Sequence, residues 1–500
     1  MNKVIVDGSP LTPGQVADVA HKRARAEAIG DLTERLMPAR GVVDQAVDSG
    51  AVVYGITTGF GALANTHIGR DEGETLQYNL IRSHATGVGD PLPDQIVRAM
   101  LLLRARTLAQ GHSGVRPIIV LKLLELLDKD ILPVVPSQGS VGASGDLAPF
   151  AHLALPLIGE GFVQVDDEVI ATDQADFEPV ALQTKEGLSL LNGTEGMAAM
   201  GVLALERARR LVLSADAAAA LSVEALLGSA RPFTAKIHEL RPHPGQLASA
   251  QRIADLLAGS PIVASHAEDF DHAVQDAYSL RCAPQVHGAV SDTLDYLERV
   301  LTVELGSVVD NPIVFPDTGE VISGGNFHGQ PLGFALDYAA IAVGELASIS
   351  ERRTDRMLDP ARSQGLPAFL AANPGLNSGY MISQYVQAAL VAENKVLSHP
   401  ASIESIPTSG SQEDHVSMGW GAGKKLFDVL NNVRRVIAIE ILCAVQGLDY
   451  RRPVAPAEGT GRVATLIREH VPPLDKDRST SGEIEQVADL ILDGSISALV

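Results

Sequence analysis

The chain has 500 residues, of which 46% are hydrophobic and 20% charged, and a formal net charge of −22. So acidic a chain excludes a nucleic-acid binder, which needs clustered Lys and Arg against phosphate. Aromatic residues are only 4%, and the abundance of Ala and Leu favours helix over sheet. No uncharged apolar run reaches the ~18 residues of a membrane span. The most apolar stretch, Leu211 to Ala230, carries Asp216 and Glu224, and no basic-then-apolar leader opens the chain. Cys282 and Cys443 are too few for a disulfide framework or a metal cluster. A cytoplasmic protein is expected, with no nucleic-acid or membrane partner.

Lys3 to Val6 reads as a short strand, and Thr12-Pro13 as an N-cap followed by proline at the first helical position. A mixed region runs to about Gln110 and contains the Gly-rich "YGITTGFGAL". Helices dominate from there, beginning with the apolar Ile118 to Leu127. Val163 to Ile170 and Ile313 to Ile322 read as hairpins around turn residues. Val286, Val290, Leu294, Leu297, Leu301 and Leu305 recur at the period of one helix face. Leu426, Leu430, Val433, Ile437, Ile441 and Ala444 do the same, with Arg434, Arg435 and Glu440 off that stripe. Both stripes are expected to be core or subunit-contact surfaces. Strands do not alternate with helices as in a doubly wound sheet, and no fixed-period repeat is present. The expected fold is mainly α: a small mixed N-terminal domain over residues 1–110, then a long-helix bundle core over 111–500.

The segment "SQGSVGASGDLAPF" (Ser137 to Phe150) lies among these helical patterns and has no lysine or arginine. A phosphate loop needs a lysine and a preceding strand. A hydrolase nucleophile elbow, G-x-S-x-G, needs a glycine that is missing after Ser144. A plain turn between helices fits the composition. So does a chemical reading. The Gly145 nitrogen is an unhindered nucleophile two residues beyond the Ala143 carbonyl. Ring closure with loss of water, and a second loss from Ser144, would leave a methylidene-imidazolone electrophile. From the residues alone, connector and cyclising tripeptide both stand.

The stretch "GSVGASGDLAPFAHLALPLIGEG" resembles the signature of the aromatic amino-acid ammonia-lyases, which build this prosthetic group from their own Ala-Ser-Gly. Matching segments run from Tyr54 to about Leu426. The resemblance implies a 4-methylidene-imidazol-5-one made autocatalytically from Ala143-Ser144-Gly145, with no metal or nucleotide. "YGITTGFG" puts the catalytic tyrosine at Tyr54, and "LLNGTEG" puts an active-site asparagine at Asn192. "QDAYSLRCAPQVHG" supplies Gln275, Tyr278 and Arg281; "DNP" supplies Asn311, "GGNFHG" Phe327 and "PTSGSQEDHVSMG" Glu413. The guanidinium fork of Arg281 suits a substrate carboxylate. Tyr54, with Tyr278 and Glu413 as further candidates, has the chemistry of a base. Asn192 and Asn311 suit hydrogen bonding to the prosthetic group. Asp146 would order the backbone or carry protons, or cap the helix that follows. The resemblance also implies a helix-rich homotetramer whose sites draw on three subunits.

Ser83-His84 in "IRSHATGVG" and the acid Glu413 resemble the histidine-specific members. His84 can exchange a hydrogen bond with an imidazole. A carboxylate at Glu413 would lie uncompensated against a phenyl ring. The substrate expected is L-histidine, giving trans-urocanate and ammonia. The alternatives are a tyrosine or phenylalanine lyase or 2,3-aminomutase of the same family and, more remotely, a serine hydrolase or a non-catalytic helical scaffold. Thr57, Glu195 and Gly410-Ser411 depart from the residues most frequent in histidine-specific members. His266 and His272 lack metal-ligand spacing, and His112 and His328 are expected to be structural.

Overall fold

The computed structural model describes residues 2–28, 30–69, 72–267 and 274–500. Of the residues singled out above, only His272 lies outside this set. The described residues form eighteen α-helices and nine strands of two to four residues each. The mainly α expectation holds.

The short elements follow local chemistry. Thr12 caps the helix Pro13–Ala20 in a full capping box with Gln15, ahead of proline at the first position. The strand Asn2–Ile5 pairs in parallel with Ala24–Glu27, a partner not among the expected elements although Ala and charged residues alternate along it. Both expected hairpins form: Phe162–Val165 with Glu168–Ala171, and Ile313–Phe315 with Glu320–Ile322. The apolar run after Arg116 folds as Pro117–Asp128.

The chain divides into two compact units, each assembled from three stretches of sequence. The first comprises Met1–Leu203, Leu297–Leu336 and Ala401–Lys424; the second comprises Ala204–Tyr296, Asp337–Pro400 and Lys425–Val500. Residue 110, the boundary suggested by composition, falls inside the first stretch of the first unit.

In the second unit the stripe Leu426, Leu430, Val433, Ile437, Ile441 and Ala444 is buried along the helix Gly419–Tyr450. Glu440, off the stripe, is buried too, and it accepts from Arg353 and from Ser222. A buried carboxylate persists only with such partners. Val290, Leu294, Leu297, Leu301 and Leu305 are likewise buried, while Val286 is half-buried. The helix Gln330–Leu358 is long and apolar enough to cross a membrane, but 61% of its apolar window is buried inside the protein. Its Asp337 pairs with Lys425. It is a packing helix.

The first unit is built around Asp94–Leu108, a helix buried without interruption from Ile96 to Leu108. Pro13–Ala20 and Pro117–Asp128 pack on it. Its three buried arginines are not waste. Arg98 reaches the Val19 carbonyl, Arg106 the Ser307 carbonyl, and Arg104 the carbonyls of Ser189 and Asn192. Beside it, the short helices Gly73–His84, Leu147–Ala154 and Glu186–Leu191 pack against one another. Each presents a site residue at one end: His84 as a last residue, Asp146 at the N-cap, Asn192 at the C-cap.

Candidate active site

The stretch from Gly139 to Gly145 makes a tight turn ahead of Leu147–Ala154. Gly142 and Gly145 take positive φ, 63° and 73°, the region L side chains avoid. Ala143 and Gly145 face each other as a bridge across Ser144. Gly145 in turn lies on Gly193, so closely that a Cβ there would sit 2.0 Å from the Gly193 oxygen. The Asp146 N–H donates to the same oxygen at 2.8 Å. From the other side, Met418 N donates to the Val141 carbonyl and Ser417 Oγ to the Gly142 carbonyl. The turn is clamped between two segments.

The Ser144 hydroxyl donates to Asn192 Oδ1 at 2.8 Å, and Asn192 Nδ2 donates to the Asn311 carbonyl at 2.9 Å. The Asn311 side chain is turned away, its Oδ1 accepting from Gly324 N. Asp146 is fully buried. Its carboxyl does not cap its own helix. Instead it accepts from Ser140 Oγ and from Met197 N, the latter in the first turn of Glu195–Ala225. Burial pushes this carboxyl up to about 7, against the lowering effect of those two donors, and Glu195 adds to the rise.

A cavity of about 570 Å³ opens over this turn, and Tyr54, His84, Ser144, Asn192 and Glu413 all line it. The apolar part of the wall includes Leu188 and Leu191. The Tyr54 hydroxyl accepts weakly from Gly61 N at 3.4 Å. Its loop rests on the segment after Asn311, where a Cβ on Gly55 would meet Pro312 at 2.8 Å. His84 Nδ1 lies 2.8 Å from the Leu80 carbonyl, which only accepts, so Nδ1 carries the proton and Nε2 is left for a ligand. Burial lowers the His84 pKa, opposed by the Leu80 carbonyl and by Glu413. Glu413 accepts from Thr408 Oγ1 at 2.7 Å and is tied to that residue by a backbone bridge.

Phe327 is half-buried in the first unit and does not line the cavity. Gln275 and Arg281 line a different pocket, of about 550 Å³, in the second unit. Arg281 Nε donates to the Asp276 carbonyl, and its guanidinium lies 4.6 Å from the Tyr278 ring centre. Tyr278 itself is 72% exposed. Among the described residues no cluster of His, Cys, Asp and Glu is arranged to hold a metal. His112 bonds the Val314 carbonyl and His328 stacks on His415.

Several residues that hold this site carry no local signal in sequence. Ser140 and Thr408 are loop hydroxyls that reach carboxylates six and five positions further on, in segments with no regular period to announce the contact. Lys185 and Asp310 are 125 positions apart, yet they pair in the interior at 3.0 Å. Glu195, one of the departures noted above, pairs with buried Arg104.

The model of the aromatic amino acid lyase family matches residues 11–469. A histidine ammonia-lyase of Deinococcus radiodurans is 54% identical over 468 residues, covering 93% of this chain and 89% of the relative. The crystal structure of a histidine ammonia-lyase from Trypanosoma cruzi is 43% identical, with a TM-score of 0.91 over 99% of this chain and 94% of that one. A tyrosine aminomutase from Streptomyces globisporus is 38% identical, with a TM-score of 0.93 over 99% and 98%. With a family match spanning most of its length and relatives this similar from end to end, the chain belongs to the aromatic amino acid lyases.

Proposed function

We propose that this protein eliminates ammonia from L-histidine to give trans-urocanate, using an electrophile made from its own Ala143-Ser144-Gly145. The observation that carries the reading is the pairing of Ala143 with Gly145 across Ser144, at the wall of the cavity that also holds Tyr54, His84 and Glu413. In the ring closure, the Gly145 nitrogen bonds to the Ala143 carbonyl carbon. That oxygen leaves as water, and the Ser144 hydroxyl leaves as a second water. The residues present fit this group. No side chain on Gly145 obstructs the approach, and Asn192 holds the Ser144 hydroxyl. Asp146, adjacent in the chain and poised near neutrality, is suited to exchange protons as water departs.

The finished group supplies a methylidene carbon that takes up the substrate amine and makes it a good leaving group. The rest of the work falls to the side chains. Tyr54 is the first choice to take the β-proton, with Tyr278 second and Glu413 a further candidate. His84, protonated on Nδ1, offers Nε2 to the imidazole ring, and Glu413 faces the same ring as an acceptor. The lowered pKa of His84 keeps its ring neutral around neutral pH. In this reading Asn192 holds the prosthetic group, with Asn311 behind it through its carbonyl, and Phe327, outside the cavity lining of its own chain, belongs to the substrate pocket of the assembled oligomer.

Arg281 binds the substrate carboxylate, with Gln275 beside it, and both come from other copies in a homotetramer. The exposure of Tyr278 and a groove of about 770 Å³ lined by Tyr296, Tyr338 and Ile341 support such an assembly. A cytoplasmic location is part of the reading, consistent with the free thiols of Cys282 and Cys443.

The purified protein is expected to be lighter than its sequence by roughly 36 Da, the two waters of cyclisation, and to form urocanate from histidine. Ser144→Ala should keep the helical fold, lose the mass deficit and lose activity by orders of magnitude. A full-mass, active protein contradicts the reading. A β-amino acid product from tyrosine or phenylalanine would favour the aminomutase alternative. Glu413→Gln should leave the mass deficit intact while lowering kcat/KM for histidine about tenfold or more; unchanged kinetics would remove Glu413 from ring recognition. Co-expressed Ser144→Ala and Arg281→Met chains, each inactive alone, should recover part of the activity if sites are shared. No recovery in a mixed oligomer would place Arg281 and Ser144 in one subunit's site.

Asp146 makes a pH prediction. Its carboxyl is raised in the folded protein above the unfolded value of 3.8 to about 7. Below the unfolded value both states hold the proton, and there is no penalty. As pH rises towards 7, only the unfolded state ionises freely, so the carboxyl increasingly disfavours folding, and the cost levels off above 7. The stability of the wild type relative to Asp146→Asn should therefore fall from about pH 4 to 7 and then stay flat. Denaturant midpoints measured across that range check it, and a pH-independent difference would refute it.

A further inference from the structure

Lys185 and Asp310 form an ion pair with no solvent exposure, and nothing in the proposed reaction uses either charge. Lys185 Nζ donates to Asp310 Oδ2 at 3.0 Å and to Ser189 Oγ at 2.9 Å. Ser189 Oγ points at the same Oδ2, also at 3.0 Å. The single proton of Ser189 is shared with the Ser113 carbonyl at 3.2 Å, and the carboxylate is held at both ends, Oδ2 by the ammonium and Ser189 and Oδ1 by Asn311 N at 2.7 Å. The Asn311 carbonyl then accepts from Asn192 Nδ2, and Asn192 Oδ1 accepts from the Ser144 hydroxyl. A line of hydrogen bonds, bridged at Asn311 by its own Cα between N–H and carbonyl, runs from a buried ammonium to the serine that must lose its oxygen. The next residue, Pro312, supports Gly55 and with it the Tyr54 loop.

An apolar pair of similar volume serves stability as well as a buried ion pair, and often better. What the ion pair adds is direction. Asn192 has an amide that can rotate, and only a fixed acceptor on its nitrogen side commits its oxygen to Ser144.

We propose that Lys185 and Asp310 are positioning residues: they anchor the Asn311 backbone at its N–H, which places its carbonyl so that Asn192 presents its oxygen to Ser144, and so they set how fast Ala143-Ser144-Gly145 cyclises. The proposal rests on the cyclisation reading above.

The test follows the fraction of chains lighter by roughly 36 Da, together with kcat, KM and oligomer size, in whole protein. Lys185→Met with Asp310→Leu removes both charges and leaves no unpaired ion. It should fold and assemble but show a light fraction, or a rate of its appearance, about tenfold lower. KM should move less than kcat. Lys185→Met with Asp310→Asn retains an acceptor for Asn311 N and should recover most of the loss. A Leu variant that cyclises at the wild-type rate overturns the proposal, as does an Asn variant no better than the Leu one. Should neither double variant fold, Ser189→Ala decides. It frees one of the two grips on Oδ2 and should slow cyclisation severalfold, and an unchanged rate overturns the proposal. Wild-type protein at full mass would instead bring down the cyclisation reading itself.

Discussion

The site depends on one backbone contact, the meeting of Gly145 with Gly193. No other residue fits at Gly145, because a Cβ would overlap the Gly193 carbonyl at 2.0 Å and because its φ is positive. Gly193 is equally constrained: a side chain there would strike the Arg104 guanidinium and the Glu195 carboxylate. Once the two glycines touch, much else follows. Ser144 comes within reach of Asn192, Asp146 donates its N–H to Gly193, and the Asp146 carboxyl meets the start of the helix Glu195–Ala225. The chain's single tryptophan, Trp420, packs against Gly196 at the same place and ties its Nε1 to the Ser137 carbonyl.

Around this contact the first unit buries an unusual amount of charge. Arg104 with Glu195 and Lys185 with Asp310 are pairs taken out of water, and each is costly to desolvate. Their placement gives a common reason. Arg104 donates to the carbonyls of Ser189 and Asn192, and Lys185 to Ser189 Oγ and Asp310. Arg104 therefore grips the short helix Glu186–Leu191 and the residue that ends it, while Lys185, the N-cap residue of that helix, ties Ser189 to Asp310. That helix is too short to hold its own end still, so side chains from elsewhere hold the carbonyls it leaves open.

The cavity combines two chemistries. Its lining brings leucines and the Tyr54 loop together with Ser144, Asn192, His84 and Glu413. Each polar group on it is already committed on one side: Glu413 to Thr408, His84 to Leu80, Asn192 to Asn311. For Glu413 and His84 the commitment leaves the other side of the group for a ligand, and Asn192 is held on both sides, by Asn311 and by Ser144.

Part of this was legible in sequence. The helix faces, the Thr12 cap and the two hairpins are local patterns with local causes, and they form where the residues place them. The small residues of Ala143-Ser144-Gly145 announce a turn and admit a cyclisation, and the motifs around Tyr54, Asn192 and Glu413 mark the cavity wall. Tertiary structure alone decided the rest. It brought Lys185 to Asp310, Arg104 to Glu195 and Asp146 to the N–H of Met197. It also turned Asp146 away from capping its own helix and moved its carboxyl towards neutrality. It left Gln275, Tyr278 and Arg281 in the second unit, and none of them lines the cavity. The physical reason is range. Caps, turns and stripes arise between residues a few positions apart, so the chain spells them out directly. The burial of a charge, and pairings such as Arg104 with Glu195 or Lys185 with Asp310, depend on segments tens to more than a hundred positions away, and only the folded chain brings those together.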